Sequence, residues 1–296
     1  MLFHMDYSKH TKGVVSLILL TFGFAVIAIT ARYLSYHFTL FQQLYLSLAV
    51  AFIFSLFLFK TNFSFSKIKN IPKNDWIIMS VRVIIGYLIG APLYREAIVI
   101  TKISNVTFIQ SLPFAAIFGW LLFKEKFTFL KFFLVLVAYL GVILIAVKDY
   151  GSTLSFGKGE LFSLIATALF ALSFVTRKWM SDKLNDKEIT QILLLLGTVS
   201  LFIISISLGE KLPVINWNLL LFVSIFFTGL FNAVNMFFIN YGFKNVKAVL
   251  AGNILTLEAI FALILAFIFY KELPTFKELI GGFLIIGSVI QMNRIK

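Results

Sequence analysis

The sequence predicts an all-α membrane protein with ten transmembrane helices arranged as two inverted five-helix repeats. Three observations carry this expectation. The composition is too apolar for a soluble domain, about ten apolar runs are long enough to cross a bilayer, and a motif recurs after 146 or 147 residues.

The 296 residues are 60% hydrophobic and only 13% charged, with a mean hydropathy of +0.97. A soluble domain carries about 25% charged residues, so most of this chain must face lipid or other helices. Cysteine is absent, which excludes disulfides and thiolate metal sites. The three histidines, His4, His10 and His37, lie outside the expected helix centres, so no histidine metal site or other cofactor is expected. A net charge of +13 raises the question of nucleic acid, but the lysines and arginines sit in short loops rather than in a basic domain. No nucleic-acid partner is expected. The 13 acidic residues are scattered among loops. An enzyme would gather several of them at one interface, so no enzyme is expected.

Crossing a hydrocarbon core about 30 Å thick takes roughly 20 helical residues. The first apolar run, Gly13 to Ala31, exceeds the roughly 7–15 residues of a signal-peptide core. It has no small-x-small cleavage site and reads as an uncleaved span. The ten expected spans are 13–33, 40–59, 76–97, 104–123, 129–147, 159–179, 189–208, 217–239, 247–270 and 276–293. Polar segments separate them, among them Lys67 to Asp75, Lys124 to Lys126, Lys148 to Gly151, Ser181 to Lys187 and Lys271-Glu272. The runs are continuous rather than alternating, which excludes a transmembrane β-barrel. With both termini cytoplasmic, lysine and arginine divide 17 inside to 8 outside, with Arg82 inside a span. That asymmetry favours cytoplasmic termini.

Residues Gly159 to Phe170 align with Gly13 to Phe24, and Tyr270-Lys-Glu to Thr275 aligns with Phe123-Lys-Glu to Thr128. The expected units are residues 1–148 and 149–296, each of five spans. Five is odd, so the second unit enters the membrane from the opposite side, an arrangement that suits alternating access at the interface of the halves.

Polar residues inside spans each need a reason. Glu258 lies near the centre of span nine, where a charge costs on the order of 2.5–3.5 kcal/mol. It reads either as a coupling group or cation anchor, or as a neutral carboxyl tying helices together. Arg82, one and a half turns inside span three, reads as an anion ligand or gate, or as a side chain that snorkels to the interface; the second is favoured. Tyr87, Gly90, Ala91 and Tyr94 share a helical face that could line a cavity, while Gly86 and Gly90 could equally serve close packing. In span four Thr107, Gln110 and Ser111 share a face, and Pro113, like Pro92 in span three, frees a carbonyl and kinks the helix. Thr228, Asn232 and Asn235 form a polar stripe on span eight. Gln42, Gln43 and Gln191 sit near helix ends and read as structural. The expected cavity residues are therefore Tyr87, Tyr94, Thr107, Gln110, Asn232, Asn235 and Glu258, with Glu258 and Arg82 in coupling or gating.

Leu112-Pro113 through Lys124-Glu125 to Gly141 recurs as Leu257-Glu258 through Lys271-Glu272 to Gly281, Gly282 and Gly287. With the span-six opening Gly159-Glu160 to Arg177-Lys178 and with Arg82, this pattern resembles the drug/metabolite transporter superfamily, and within it the EamA-type carriers. The chain departs from that pattern at Ala259, where proline is common, at Phe24 and Phe170, where tryptophan is common, and at Gln43, where arginine is common. The resemblance implies a central cavity built mainly from helices one, three, four, six, eight and nine. It also implies transport of amino acids, nucleotide-related compounds or other metabolites, often outward. With no Walker-type loop in the sequence, the expected function is secondary-active transport. The cargo would be a small polar metabolite such as an amino acid, moved outward across the inner (cytoplasmic) membrane by alternating access, with proton coupling through Glu258. The expected partners are the small-molecule substrate and the lipid bilayer. A lipid scramblase or pore is the alternative.

Overall fold

The structure, a computed structural model, describes residues 7–60, 69–124, 128–146, 157–213 and 218–294. Within these residues it is entirely helical, with no strand. The helices are α1 (Tyr7–Leu34), α2 (Leu40–Phe59), α3 (Lys73–Arg82), α4 (Ala91–Ile100), α5 (Ile103–Gln110), α6 (Phe114–Phe123), α7 (Phe129–Ala146), α8 (Lys158–Val175), α9 (Asp186–Ser207), α10 (Leu219–Asn245), α11 (Ala248–Leu255), α12 (Leu257–Tyr270) and α13 (Phe276–Arg294). A π-helical stretch, Val83–Gly90, joins α3 to α4. The polar segments at 61–68, 125–127 and 147–156, expected as loops and as the junction of the halves, lie outside the described residues.

Eight helical stretches are long and apolar enough to cross a membrane: Ser8–Leu34, Leu40–Phe59, Lys73–Ile100, Ile103–Phe123, Lys158–Trp179, Asp186–Ser207, Leu219–Asn245 and Ala248–Tyr270. The apolar stretch Phe129–Ile145 of α7 is shorter, and α13 carries charges near both ends at Lys277, Glu278 and Arg294. Large apolar side chains such as Phe57, Leu140, Ile203 and Phe283 point outward, as lipid-facing positions require.

Local chemistry explains the helix ends and breaks. Thr39 and Asn185 start α2 and α9 with reciprocal capping boxes to Gln42 and Glu188. Pro113 cannot donate a backbone bond, and α5 stops at Gln110 before α6 restarts at Phe114. Pro92 similarly sits just past the π-helical stretch, where the Ala91 amide bonds back to Gly86. Span nine, expected as continuous, breaks at Thr256 between α11 and α12. Its broken position falls within a few residues of the counterpart of the break in span four.

The packing treats the two halves alike. α1 packs on α10, and α8 packs on α4 and the π-helical stretch. α2 pairs with α9, and α7 pairs with α13. α5 meets α12 while α11 meets α6. At the α7–α13 crossing, a side chain on Gly141 would run into the carbonyl of Gly281, so the two backbones touch there.

Polar clusters sit at two opposite ends of the bundle. At one end the Arg32 guanidinium pairs with Glu272 and donates to the carbonyls of Ile98 and Thr101. Glu272 also accepts from the Ile103 amide at 3.1 Å. Tyr270 donates to the Ile29 carbonyl at 2.8 Å. The Thr101 hydroxyl donates to Glu160, so Thr101 joins the end of α1 to the start of α8. At the other end Arg177 pairs with Asp186 at 2.6 Å, and Asp75 accepts from the Ser181 amide at 3.0 Å.

Candidate functional site

Between these ends the helices enclose a cavity with about 1260 Å³ of atom-free space, part of it continuous with the outside. Small-molecule sites run to about 300–1,000 Å³. Its walls come from all four half-helices of the two broken spans except α6's far end, together with α1, α2, the span from Arg82 to Arg95, α8, α9 and α10. Spans two and seven thus contribute Leu44, Ser47, Leu48 and Leu193, beyond the six helices that the family resemblance implies.

Six expected cavity residues line this space: Tyr87, Tyr94, Gln110, Asn232, Asn235 and Glu258. Tyr87 and Tyr94 reach it from the π-helical stretch and from α4. The two glycines of this stretch serve the packing alternative, since Gly86, which also borders the cavity, faces Ser173 and Gly90 faces Phe170 on α8. Each alternative therefore holds for a different residue of the same helix. Asn235 fits because position 23 is glycine; a Cβ there would collide with its amide. Asn232 donates to the Thr228 carbonyl at 2.8 Å, and Thr228 bonds Thr30 on α1 at 2.6 Å. Gln110 is the last residue of α5, at the break itself. Glu258 occupies the first turn of α12, 5% exposed, close to the positive end of that helix's dipole.

Thr107 does not line the cavity. It is fully buried, and its hydroxyl bonds the carbonyls of Ile103 and Ser104, each at 3.1 Å. The α5 face that carries it is packed against its neighbours, so the shared face inferred from spacing stops short of the cavity. Arg82 also departs from expectation. Rather than snorkelling to an interface it is 2% exposed and lines the cavity, with Met180 sulfur at 3.7 Å from one of its terminal nitrogens. It lies beside Met180, toward the Arg177–Asp186 pair, and faces the same space as Glu258.

Sequence reasoning missed Arg95. Treated there as a loop charge, it is 4% exposed and lines the cavity, with Gln43 as its hydrogen-bond partner at 3.5 Å. Gln43 therefore does more than end a helix. Gln42 and Gln191 do act structurally, bonding the carbonyls of Lys211 and Ser55. The signal for Arg95 was its place four residues after Ala91, which puts it beside the predicted cavity face.

Several buried polar atoms at this cavity have no hydrogen-bond partner among the described residues: Arg82 Nε, Gln110 Oε1, both amide atoms of Asn235 and Glu258 Oε1. Native interiors leave few such atoms. Their convergence on one space marks it as a place where polar groups of another molecule, or water, complete the bonding.

A multi-span helical protein with a partly polar, solute-sized cavity at its centre has the build of a membrane transporter. The profile of the EamA-like transporter family matches residues 11–147 and again 157–294, and the chain belongs to that family. An uncharacterized transporter of Synechocystis is 23% identical over 250 residues, 79% of this chain and 70% of that protein. Human solute carrier family 35 member G1 is 27% identical over 231 residues, 73% of this chain and 62% of that protein. The Bacillus subtilis uncharacterized transporter YdfC is 29% identical over 177 residues, 60% of this chain and 57% of that protein. The chain thus spans less than two thirds of the human and Bacillus relatives. A solved crystal structure superposes with a TM-score of 0.69 over 98% of this chain and 99% of that one; at 14% identity the likeness concerns the fold alone.

Cysteine scanning tests the lining directly, because the native chain has no cysteine. Asn235→Cys and Tyr94→Cys are expected to react with a small polar thiol reagent, and Thr107→Cys to stay inert. Equal inertness at all three would mean that the cavity is packed shut.

Proposed function

We propose that this protein is a secondary carrier that moves a small polar metabolite, such as an amino acid, outward across the inner (cytoplasmic) membrane by alternating access. The observation that carries the reading is a cavity with unpartnered polar atoms, closed at one end by a packed layer and a polar seal. Along two wall helices, α1 and α12, the order is the same: cavity residue, small buried residues, then the seal. On α1 it runs Ile27, Ala28 and Ala31, Arg32; on α12 it runs Glu258, Ala262 and Ala266, then Tyr270 and Glu272. Alanines let the helices approach closely there. A seal of hydrogen bonds and one ion pair is separable, unlike a continuous apolar core.

The ten-span, inverted-repeat reading is supported by the like packing of the two halves and by Thr101. Through that residue the C-terminal end of α1 and the N-terminal end of α8 meet at one face. Counterpart helices then run in opposite directions, as alternating access by exchange of the halves requires. The charge asymmetry of the loops supports both termini on the cytoplasmic side and puts the Arg32 seal outside. Glu258, the one carboxylate on the cavity wall, is the candidate for proton coupling.

Counterflow of a labelled metabolite panel in proteoliposomes is expected to show saturable exchange of one chemical class. Glu258→Gln is expected to slow that exchange at least about tenfold, the effect of removing one charge-assisted contact. Wild-type exchange by Glu258→Gln from pH 5 to 8 would rule out a titrating role. For orientation, a C-terminal reporter active only in the cytoplasm should be active, and one active only outside should be silent; the reverse would invert the assignment.

A further inference from the structure

Four arginines among the described residues are buried, and they fall into two kinds. Arg32 and Arg177 are neutralised: one pairs with Glu272 and two carbonyls, the other holds Asp186 through two nitrogens at 2.6 and 3.1 Å. Arg82 and Arg95 make no ion pair with any carboxylate among the described residues, and these two are the ones that line the cavity. A buried cation left uncompensated is strongly unfavourable. The protein supplies compensation wherever arginine is structural and withholds it at the cavity.

We propose that the cavity recognises an organic anion, and that Arg95 is the residue that binds its carboxylate or phosphate group. The inference rests on the carrier reading and adds its substrate class. The formally charged lining residues are Arg82, Arg95 and Glu258, so the wall carries one excess positive charge. Arg95 has a planar fork of five donors, of which the one hydrogen bond to the Gln43 amide oxygen occupies a single nitrogen at 3.5 Å. Such a fork matches a carboxylate or phosphate edge. Around it Tyr94 offers a hydroxyl, Asn235 an unpartnered amide that both donates and accepts, and Glu258 an unpartnered oxygen for a hydroxyl or ammonium group. Arg82 precedes Arg95 by 13 residues. Arg82, beside Met180, faces the same cavity from nearer the Arg177–Asp186 pair, and Arg95 holds the anion beside Tyr94.

Thermal melting of the full-length protein in detergent, with charge-matched probes, tests this without requiring flux. The probes are succinate, glutamate, glutamine, lysine, glucose 6-phosphate and glucose. At least one anion is expected to raise the melting midpoint while its uncharged counterpart does not, and the carboxylate and phosphate members tell which group is held. Arg95→Gln is expected to weaken that anion at least about tenfold, as loss of a charged hydrogen-bond partner does. Arg95→Lys, which keeps the charge, should retain part of the shift and shows that the site still folds. An anion shift undiminished in Arg95→Gln, stabilisation by glutamine, lysine or glucose alone, or no anion-dependent shift at all would each overturn the proposal. Exchange of a neutral metabolite in liposomes without anion binding would refute the Arg95 assignment and leave the carrier standing. Anion binding with no exchange of any probe would do the opposite.

Discussion

Inside hydrocarbon, a polar group has no solvent to bond, and its partner must come from the protein. The backbone meets that demand by forming helices; the side chains meet it by gathering. Arg32 shows the consequence most fully. Its guanidinium is satisfied by a carboxylate after α12 and by carbonyls at the end of α4, so one residue ties three parts of the chain at one end of the bundle. Arg177 with Asp186 does related work at the other end. Between the two ends the demand is left unmet at Arg82, Gln110, Asn235 and Glu258, all on one cavity wall. The division between satisfied ends and an unsatisfied middle is what makes the middle a site.

The two ends are built from counterparts. Arg32 lies over the Tyr270 ring at 5.4 Å, and Lys178 lies over the Phe123 ring at 5.1 Å. Lys178 and Arg32 are 146 residues apart, and Tyr270 and Phe123 are 147 apart, which is the repeat spacing of the sequence. The broken spans are related only approximately in this way, with interruptions around Pro113 and Thr256. A break exposes backbone groups and a helix start in mid-bundle, and in span nine that start carries Glu258. Dipole and carboxylate favour each other there. The acidic residue is thus placed by the break as much as by its own need for a partner.

Much of the fold could be read from the chain because hydrocarbon imposes a coarse rule. Long apolar runs are legible without knowledge of tertiary contacts, and helix starts such as Thr39 and Asn185 carry their own caps. The site was legible where a polar residue stood in the middle of a run, as Asn235 and Glu258 do. It failed where depth had to be guessed. Arg82 and Arg95 lie toward the ends of one expected span, where a snorkelling or loop charge looks the same in sequence as a buried one; only the helices packed around them separate the cases. Thr107 failed for a different reason. Helical spacing gives a shared face, but the turn of α5 against α8 and α12 decides which part of that face meets the cavity. The break at Thr256 had no proline to announce it.

The central claim is that the Arg32 seal opens and closes during turnover. Cysteines at positions 32 and 272, joined by a short bifunctional thiol reagent, would tie the seal shut in an otherwise cysteine-free chain. Because both substitutions remove the native ion pair, the uncrosslinked double variant is the reference. The account predicts that crosslinking abolishes exchange in liposomes and that a reductant-cleavable crosslinker restores it on reduction. Exchange that continues at the reference rate with the seal crosslinked would contradict alternating access through this end of the molecule.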